Sequence, residues 1–206
     1  MSRAVAPVQT PGRRRRSELK KAAILDAAEA LFVADGYERV SVDAIAARAQ
    51  VSKRTVYDHF GEKEAIFLRV LERVNDALTE TIRVAIEEEL PPGRDLREAL
   101  TAFGKRVVTE AFPSPDYLTF QRLTSRQSSV PRLSEDARDR PERMLEERFA
   151  ALAAGGEIRT EDHRLAARHY TALTISLALD AFDGADPAEP LATITAGVDA
   201  FLRAYR

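Results

Sequence analysis

The sequence predicts an all-α fold, on three observations. Apolar residues recur three and four apart in every periodic stretch, and no stretch alternates with the period of two that a strand needs. The gaps carry the Pro, Gly, Ser and Asp residues that start and stop helices. At 206 residues, 45% hydrophobic and 31% charged, the chain has the apolar mass for a folded core and an ordinary charged surface. It contains no cysteine, which excludes disulfides, thiolate metal sites and cysteine nucleophiles. No apolar run approaches the roughly 20 residues that cross a bilayer. The N-terminal basic residues have no apolar stretch behind them, so no secretory signal and a cytoplasmic protein are expected.

Residues 1–16 carry Pro7, Pro11 and Gly12 without periodicity and read as a disordered tail that ends in the basic run Arg13–Arg16. A first helix should start at Ser17 as its N-cap and reach about Ala34. Ile24, Leu25, Ala28, Leu31 and Phe32 lie on one face, and Gly36 closes it. Helix two, Val42–Ala49, is capped by Ser41. Gln50 and Val51 make a turn, and Ser52 caps a third helix whose apolar side is Val51, Val56 and Phe60. Helices of about two turns cannot stand alone, so these two must lie on the first helix and on the base of the fourth. The fourth opens at Gly61, places Glu62 and Glu64 at its positive end, and runs to Glu89 before Pro91, Pro92 and Gly93 stop it. At 1.5 Å per residue it spans roughly 40 Å.

Beyond Asp95 the pattern stays helical. Asp95 with Glu98 starts a helix to about Phe112, and Ser114-Pro115 opens another through Leu123. Residues 128–141 read as irregular. A helix from Pro141 to Ala154 ends at Gly155-Gly156, Thr160 opens one to about Phe182, and the last is about Leu191–Tyr205 after the loop Asp183–Pro190. The expectation is about nine helices in three parts: the tail 1–16, a three-helix helix-turn-helix domain 17–64, and a helical regulatory and dimerisation domain 65–206.

Charge divides the same way. Residues 1–70 hold 13 Lys and Arg against 9 Asp and Glu, and the rest hold 18 against 24. A basic head on an acidic body is what results when only the head meets a polyanion.

The residues Ile45-Ala46, Ala49, Val51-Ser52, Thr55, Tyr57, His59-Phe60 and Lys63-Glu64 resemble the signature of the tetracycline-repressor (TetR) family of transcriptional regulators. The likeness includes Ala28–Phe32 and Asp35-Gly36-Tyr37 and covers about Ala22–Leu71. It implies a DNA-binding head, a dimer built from the last two helices of each subunit, a small-molecule effector, and no cofactor. Two positions depart from the common pattern. Gln50 stands where the turn often has Gly, which implies a turn without positive φ. Arg54 stands where the recognition helix often has Gly or Ala.

The recognition helix presents its first residues to base edges while neighbours hold phosphates. The candidate DNA-binding residues are Ser41, Ser52, Lys53, Arg54, Thr55, Tyr57, His59 and Lys63. Arg54 is the candidate for reading a guanine bidentately, and Tyr57, His59 and Lys63 match family positions that meet phosphate. Arg13–Arg16 would add phosphate or minor-groove contacts. Double-stranded DNA with a pseudo-palindromic operator is the expected partner, since a twofold dimer presents two reading helices about one DNA turn apart.

On the last helix Leu191, Ile194, Val198, Phe201, Leu202 and Tyr205 form an apolar stripe, with Leu173 and Leu177 in a matching rhythm before it, and these are the candidate dimer residues. Phe103, Phe120, Met144, Phe149 and Tyr170 are candidate walls of an effector pocket, with Arg122 and His169 as polar anchors; ordinary core burial is the alternative for each aromatic. Two other readings compete with a ligand-responsive repressor. One keeps the DNA head and makes the body a protein-interaction module; the other is an all-α enzyme. Against an enzyme, Ser17–Lys20 matches S-x-x-K without its companion motifs, and His163 and His169 are six residues apart on different helix faces. No metal site and no catalytic set is expected.

Overall fold

The computed structural model of the chain describes residues 11–125, 130–180 and 189–206. Its regular elements are α1 (Pro11–Asp35), α2 (Val42–Arg48), α3 (Lys53–Phe60), α4 (Lys63–Glu89), α5 (Leu96–Arg106), α6 (Pro115–Thr124), α7 (Glu135–Arg138), α8 (Arg140–Ala154), α9 (His163–Thr171), α10 (Leu177–Asp180) and α11 (Glu189–Tyr205). A π turn, Val107–Ala111, extends α5, and another, Ala172–Ser176, joins α9 to α10. The described residues contain no strand, so the all-α expectation holds.

Four local expectations are corrected. Helix α1 begins at Pro11, so Arg13–Arg16 are helical and Ser17 lies inside the helix instead of capping it. Proline suits a first helical turn, and Arg, Leu and Lys are good helix formers, so a helix already nucleated by its buried half propagates outward. The rest of the expected tail, residues 1–10, lies outside the described residues. Gln50 has a φ of 55°. The stretch 128–141 contains α7, whose N-cap Ser134 accepts from the Ala137 amide. The N-cap before α9 is Asp162, which accepts from the Leu165 amide, whereas Thr160 bonds with the Asp162 backbone. Ala181, Phe182 and most of the loop Asp183–Pro190 fall outside the described residues, although Pro190 is part of α11.

The chain forms two compact units, Met1–Arg73 with Gln121–Arg132 and Val74–Phe120 with Leu133–Arg206. In the first, Ile24, Ala28 and Phe32 of α1, Ile45 of α2, Val56 of α3, and Ile66, Phe67 and Val70 of α4 are buried. These positions are the ones that the helical spacing selects, which is why two short helices persist against two long ones. Phe32, Tyr37 and Phe67 form an aromatic trio with ring centroids 4.9 to 5.9 Å apart. Arg73 of α4 clamps α1 through Asp26 (2.7 Å) and Glu29 (2.6 Å). Gly36, at φ 81°, ends α1 with its amide on the Phe32 carbonyl.

The second unit has its own core. Phe103 of α5, Phe149 of α8, Tyr170 of α9 and Phe201 of α11 are fully or almost fully buried and touch ring to ring at 5.6 to 6.0 Å. The Tyr170 hydroxyl donates to the Leu100 carbonyl at 2.7 Å. Burial pushes that phenol well above its ordinary value, so it stays a neutral donor. Two glycines set how closely α11 and α5 approach their neighbours. A Cβ at Gly197 would lie 2.0 Å from the Leu173 carbonyl oxygen, and one at Gly104 would lie 2.9 Å from Ile194 Cγ2 and from the Tyr170 hydroxyl. Arg97 of α5 holds α11 through a two-pronged pair with Asp199, at 2.6 and 3.0 Å.

Candidate nucleic-acid interface

The turn between α2 and α3 is a Schellman closure. The Gln50 amide bonds the Ala47 carbonyl (3.2 Å) and the Val51 amide bonds the Ala46 carbonyl (3.0 Å). That closure needs its penultimate residue in the left-handed region, and Gln50 supplies it. Val51 then leads to Ser52, whose hydroxyl oxygen accepts from the Thr55 amide at 3.1 Å and lies 2.8 Å from the Thr55 hydroxyl. Ser41 caps α2 in the same way, accepting from the Ala44 amide at 3.1 Å. Both serines are therefore exposed hydroxyls fixed by their own helices.

With Val56 fully buried, the opposite side of α3 is left to solvent. It carries Lys53, Arg54, Tyr57 and Asp58, all exposed. The Arg54 side chain is 90% exposed, and its guanidinium is 3.9 Å from the Asp58 carboxylate one turn on. Lys53 bonds Asp43 of α2 at 2.9 Å, and that hydrogen bond raises the lysine's pKa. Asp43 and Asp58 thus hold two cations in place at the surface, where a phosphate or a base edge can replace them at little cost. Neither acid was identified from the sequence; the i, i+4 spacing of Arg54 and Asp58 was the available signal, whereas the Asp43 pairing depends on the turn.

The other candidates are placed less freely. Thr55 and His59 are half-buried, and the His59 ring lies 6.4 Å from that of Phe60. The Lys63 ammonium donates to the Tyr37 carbonyl (3.0 Å) and the Glu38 carbonyl (3.4 Å) and lies 4.3 Å from the centre of the Tyr37 ring. It ties the loop after α1 to the start of α4, a job that no local sequence signal announces.

In the second unit three of the expected effector walls pack on one another. Phe103, Phe149 and Tyr170 are the packed core itself, and Met144 packs against it. An aromatic at helical spacing reads the same whether it lines a pocket or fills one. Phe120 is half-buried on α6, and Arg122 is exposed and belongs to the first unit. His169 is exposed and bonds the Tyr205 hydroxyl at 2.6 Å. The expected dimer stripe is also divided. Ile194, Val198 and Phe201 are fully buried within a single chain, so they are core rather than interface. Leu173, Leu191, Leu202 and Tyr205 are partly buried, and Leu177 is 49% exposed. Leu165, exposed at 44%, shares its outward setting and was not among the expected residues.

Among the described residues no helix is long and apolar enough to cross a membrane, and no three His, Asp or Glu side chains cluster to hold a metal. The architecture is thus an all-helical body with a helix-turn-helix whose second helix offers Lys53 and Arg54 outward. Residues 24–70 match the profile of bacterial regulatory proteins of the tetR family, and residues 98–206 match that of the AefR-like transcriptional repressor C-terminal domain. The chain belongs to the TetR family. Among relatives, it is 37% identical to the HTH-type transcriptional activator FasR of Mycolicibacterium smegmatis over 92 residues, 45% of this chain and 42% of that protein. It is 30% identical to the HTH-type transcriptional regulator HbdR of an Aromatoleum strain over 142 residues, 69% of this chain. The chain spans only 42% and 61% of the lengths of these two relatives. Its fold superposes on a TetR-family regulator from Mesorhizobium loti with a TM-score of 0.75 at 27% identity, covering 92% of this chain and 98% of that one. It also matches the flavonoid-responsive regulator FrrA with a TM-score of 0.74 at 25% identity, covering 91% and 97%.

Proposed function

We propose that the protein is a sequence-specific DNA-binding transcriptional regulator that acts in the cytoplasm, binding a pseudo-palindromic operator as a homodimer and repressing until a small molecule releases it. One observation carries the DNA reading: α3 buries Val56 and turns Lys53, Arg54 and Tyr57 outward from a turn rigidly closed at Gln50. Arg54, near the helix start and paired only loosely, is the side chain that reads a base, bidentate to a guanine. Lys53 and Tyr57 add phosphate or base contacts, His59 supports the edge of the helix, and the Ser41 and Ser52 hydroxyls face the backbone while capping. Lys63 acts on DNA indirectly, by fixing the loop that precedes Ser41.

The repressor profile matched by residues 98–206 supports repression, and family membership with the name of FrrA supports an effector. Release requires an effector that binds one arrangement of the protein better than the other, whatever its absolute affinity.

Selection of bound sequences from a random DNA pool tests the reading. The expected result is two inverted half-sites about one helical turn apart. Arg54→Ala should then lose about 1–3 kcal/mol on the selected operator and much less on random DNA. Equal losses on both would reduce Arg54 to a phosphate contact, and selection of no consensus would defeat the reading altogether.

A further inference from the structure

Lys53 opens α3, the proposed reading helix, at the end where the peptide dipoles disfavour a cation. Its ammonium is held from the neighbouring helix. Lys53 Nζ donates to Asp43 Oδ2 of α2 at 2.9 Å, the one side-chain hydrogen bond between α2 and α3 among the described residues. Both side chains are more than half exposed, so the carboxylate stands on the reading face with the lysine. An acid in the first turn of α2 also suits that helix's positive end. Helix stability, however, does not require the carboxylate to turn toward α3, and the Ser41 hydroxyl already caps α2.

An acid beside the reading lysine is a handicap for a protein that binds DNA by charge alone. It serves one that must tell sequences apart, since specificity is a difference between affinities. Phosphate and base edge ask different things of Lys53. A phosphate takes the ammonium as a point charge and must pull it off Asp43. Giving up an exposed pair costs little in itself, but the carboxylate is then left unpaired beside the DNA backbone. A guanine edge instead offers two neutral acceptors, N7 and O6. An ammonium has three protons, so one can stay on Asp43 while the other two go to the guanine. Arg54 is not held in this way: Asp58 stands 3.9 Å from its Nε, beyond a hydrogen bond.

We propose that Asp43 is a positioning residue for sequence discrimination, which holds Lys53 for a guanine edge and withholds it from phosphates. The proposal rests on the DNA-binding reading above and adds a second read position to each half-site, beside that of Arg54.

Fluorescence anisotropy with the full chain tests it on the selected operator, on operators changed at single base pairs, and on a random duplex. Lys53→Ala should abolish discrimination at one guanine of each half-site. Asp43→Asn should reduce discrimination at that same guanine about fivefold and bind the random duplex about threefold more tightly. Asp43→Glu returns the carboxylate and should restore most of both. Glu62→Gln removes an equal charge from an exposed acid just before α4 and should leave discrimination at that guanine as in wild type. Discrimination unchanged in Asp43→Asn, lost equally at every base pair, or lost as much in Glu62→Gln would overturn the proposal. So would a Lys53→Ala variant that weakens operator and random duplex by the same factor. Those failures leave the wild-type consensus standing, whereas failure of the DNA reading shows as no consensus at all and removes both.

Discussion

Gln50 is the one non-glycine residue at positive φ among the described residues, and it sits where the closure of α2 demands that conformation. Its side chain is tolerated because the amides of Gln50 and Val51 both find carbonyls on α2 and hold the backbone there. The left-handed region costs a residue with a Cβ about 1–2 kcal/mol. Gln50→Gly should therefore stabilise the protein by about 0.5–1 kcal/mol after the entropy that glycine adds to the unfolded chain, read as a raised urea midpoint with an unchanged slope. Destabilisation would show that the Gln50 side chain makes contacts that outweigh its backbone strain. The family pattern marks this position as unusual, yet a side chain in a turn does not exclude positive φ where two helix carbonyls hold the backbone in place. Gly197 gave no signal at all, since a glycine in a helical stretch reads as a mild weakness. Its hydrogen is all that separates α11 from the Leu173 carbonyl, where a Cβ would stand 2.0 Å away. A backbone oxygen cannot rotate aside as a side chain can, so Gly197→Ala should cost about 3 kcal/mol or more, and thermal melts should show it far below wild type. Gly104→Ala meets side-chain atoms at 2.9 Å and should cost less.

Among elements, α1 shows where periodicity misleads. Its buried half, from Ile24 to Phe32, is evident from spacing, but residues 11–16 lack apolar repeats and read as disordered. Nucleation is the costly step of helix formation; once the buried turns exist, good helix formers add turns without needing a face to bury. Arg13–Arg16 therefore start from a helix rather than a loose tail. If the basic run meets phosphates, deleting residues 1–10 should leave the salt dependence of operator affinity almost unchanged, whereas deleting residues 1–16 should flatten it. Log affinity against log salt, measured for both truncations, checks this; equal slopes for wild type and the longer deletion would leave the run without a DNA role. Ser41, Ser52 and Asp95 are legible as caps, and each bonds the amide three residues on, whereas Ser17 and Thr160 have the same residue types without capping a helix. Ser134 also caps a helix but gives no such signal, since the single turn that it starts has no apolar face to betray it. The π turns were not legible either. Each adds one residue to a turn in the middle of an otherwise regular apolar pattern, and an apolar pattern does not encode hydrogen-bond register.

For the whole molecule, the unresolved quantity in a sequence is which apolar face meets its own chain and which meets another. The stripe on α11 reads as interface or as core, because an amphipathic helix looks alike in both settings. Folding assigns Ile194, Val198 and Phe201 to the core of one chain, along with Phe103, Phe149 and Tyr170, so any pairing surface must use what is left outside. What is left includes Leu165 and Leu177 at 44% and 49% exposure, with partly buried Leu173 in the π turn between them and Leu191 and Leu202 on α11. Two large aliphatic residues held outward on α9 and α10 are more than scattered surface leucines require, since both lie on the rod that packs against α11. A homodimer that covers this face would align two α3 helices for inverted half-sites, whereas a monomer would read one half-site and lose the affinity that the second supplies. Leu177→Glu places a charge on that face without touching the core, so its helical content and melting should stay close to wild type. Sedimentation at micromolar concentration should nevertheless change from a dimer to a monomer, and affinity for a two-half-site operator should fall while single half-site binding persists. A variant that remains dimeric would put the interface elsewhere. A variant that is monomeric yet binds the full operator as tightly would remove dimerisation from the mechanism.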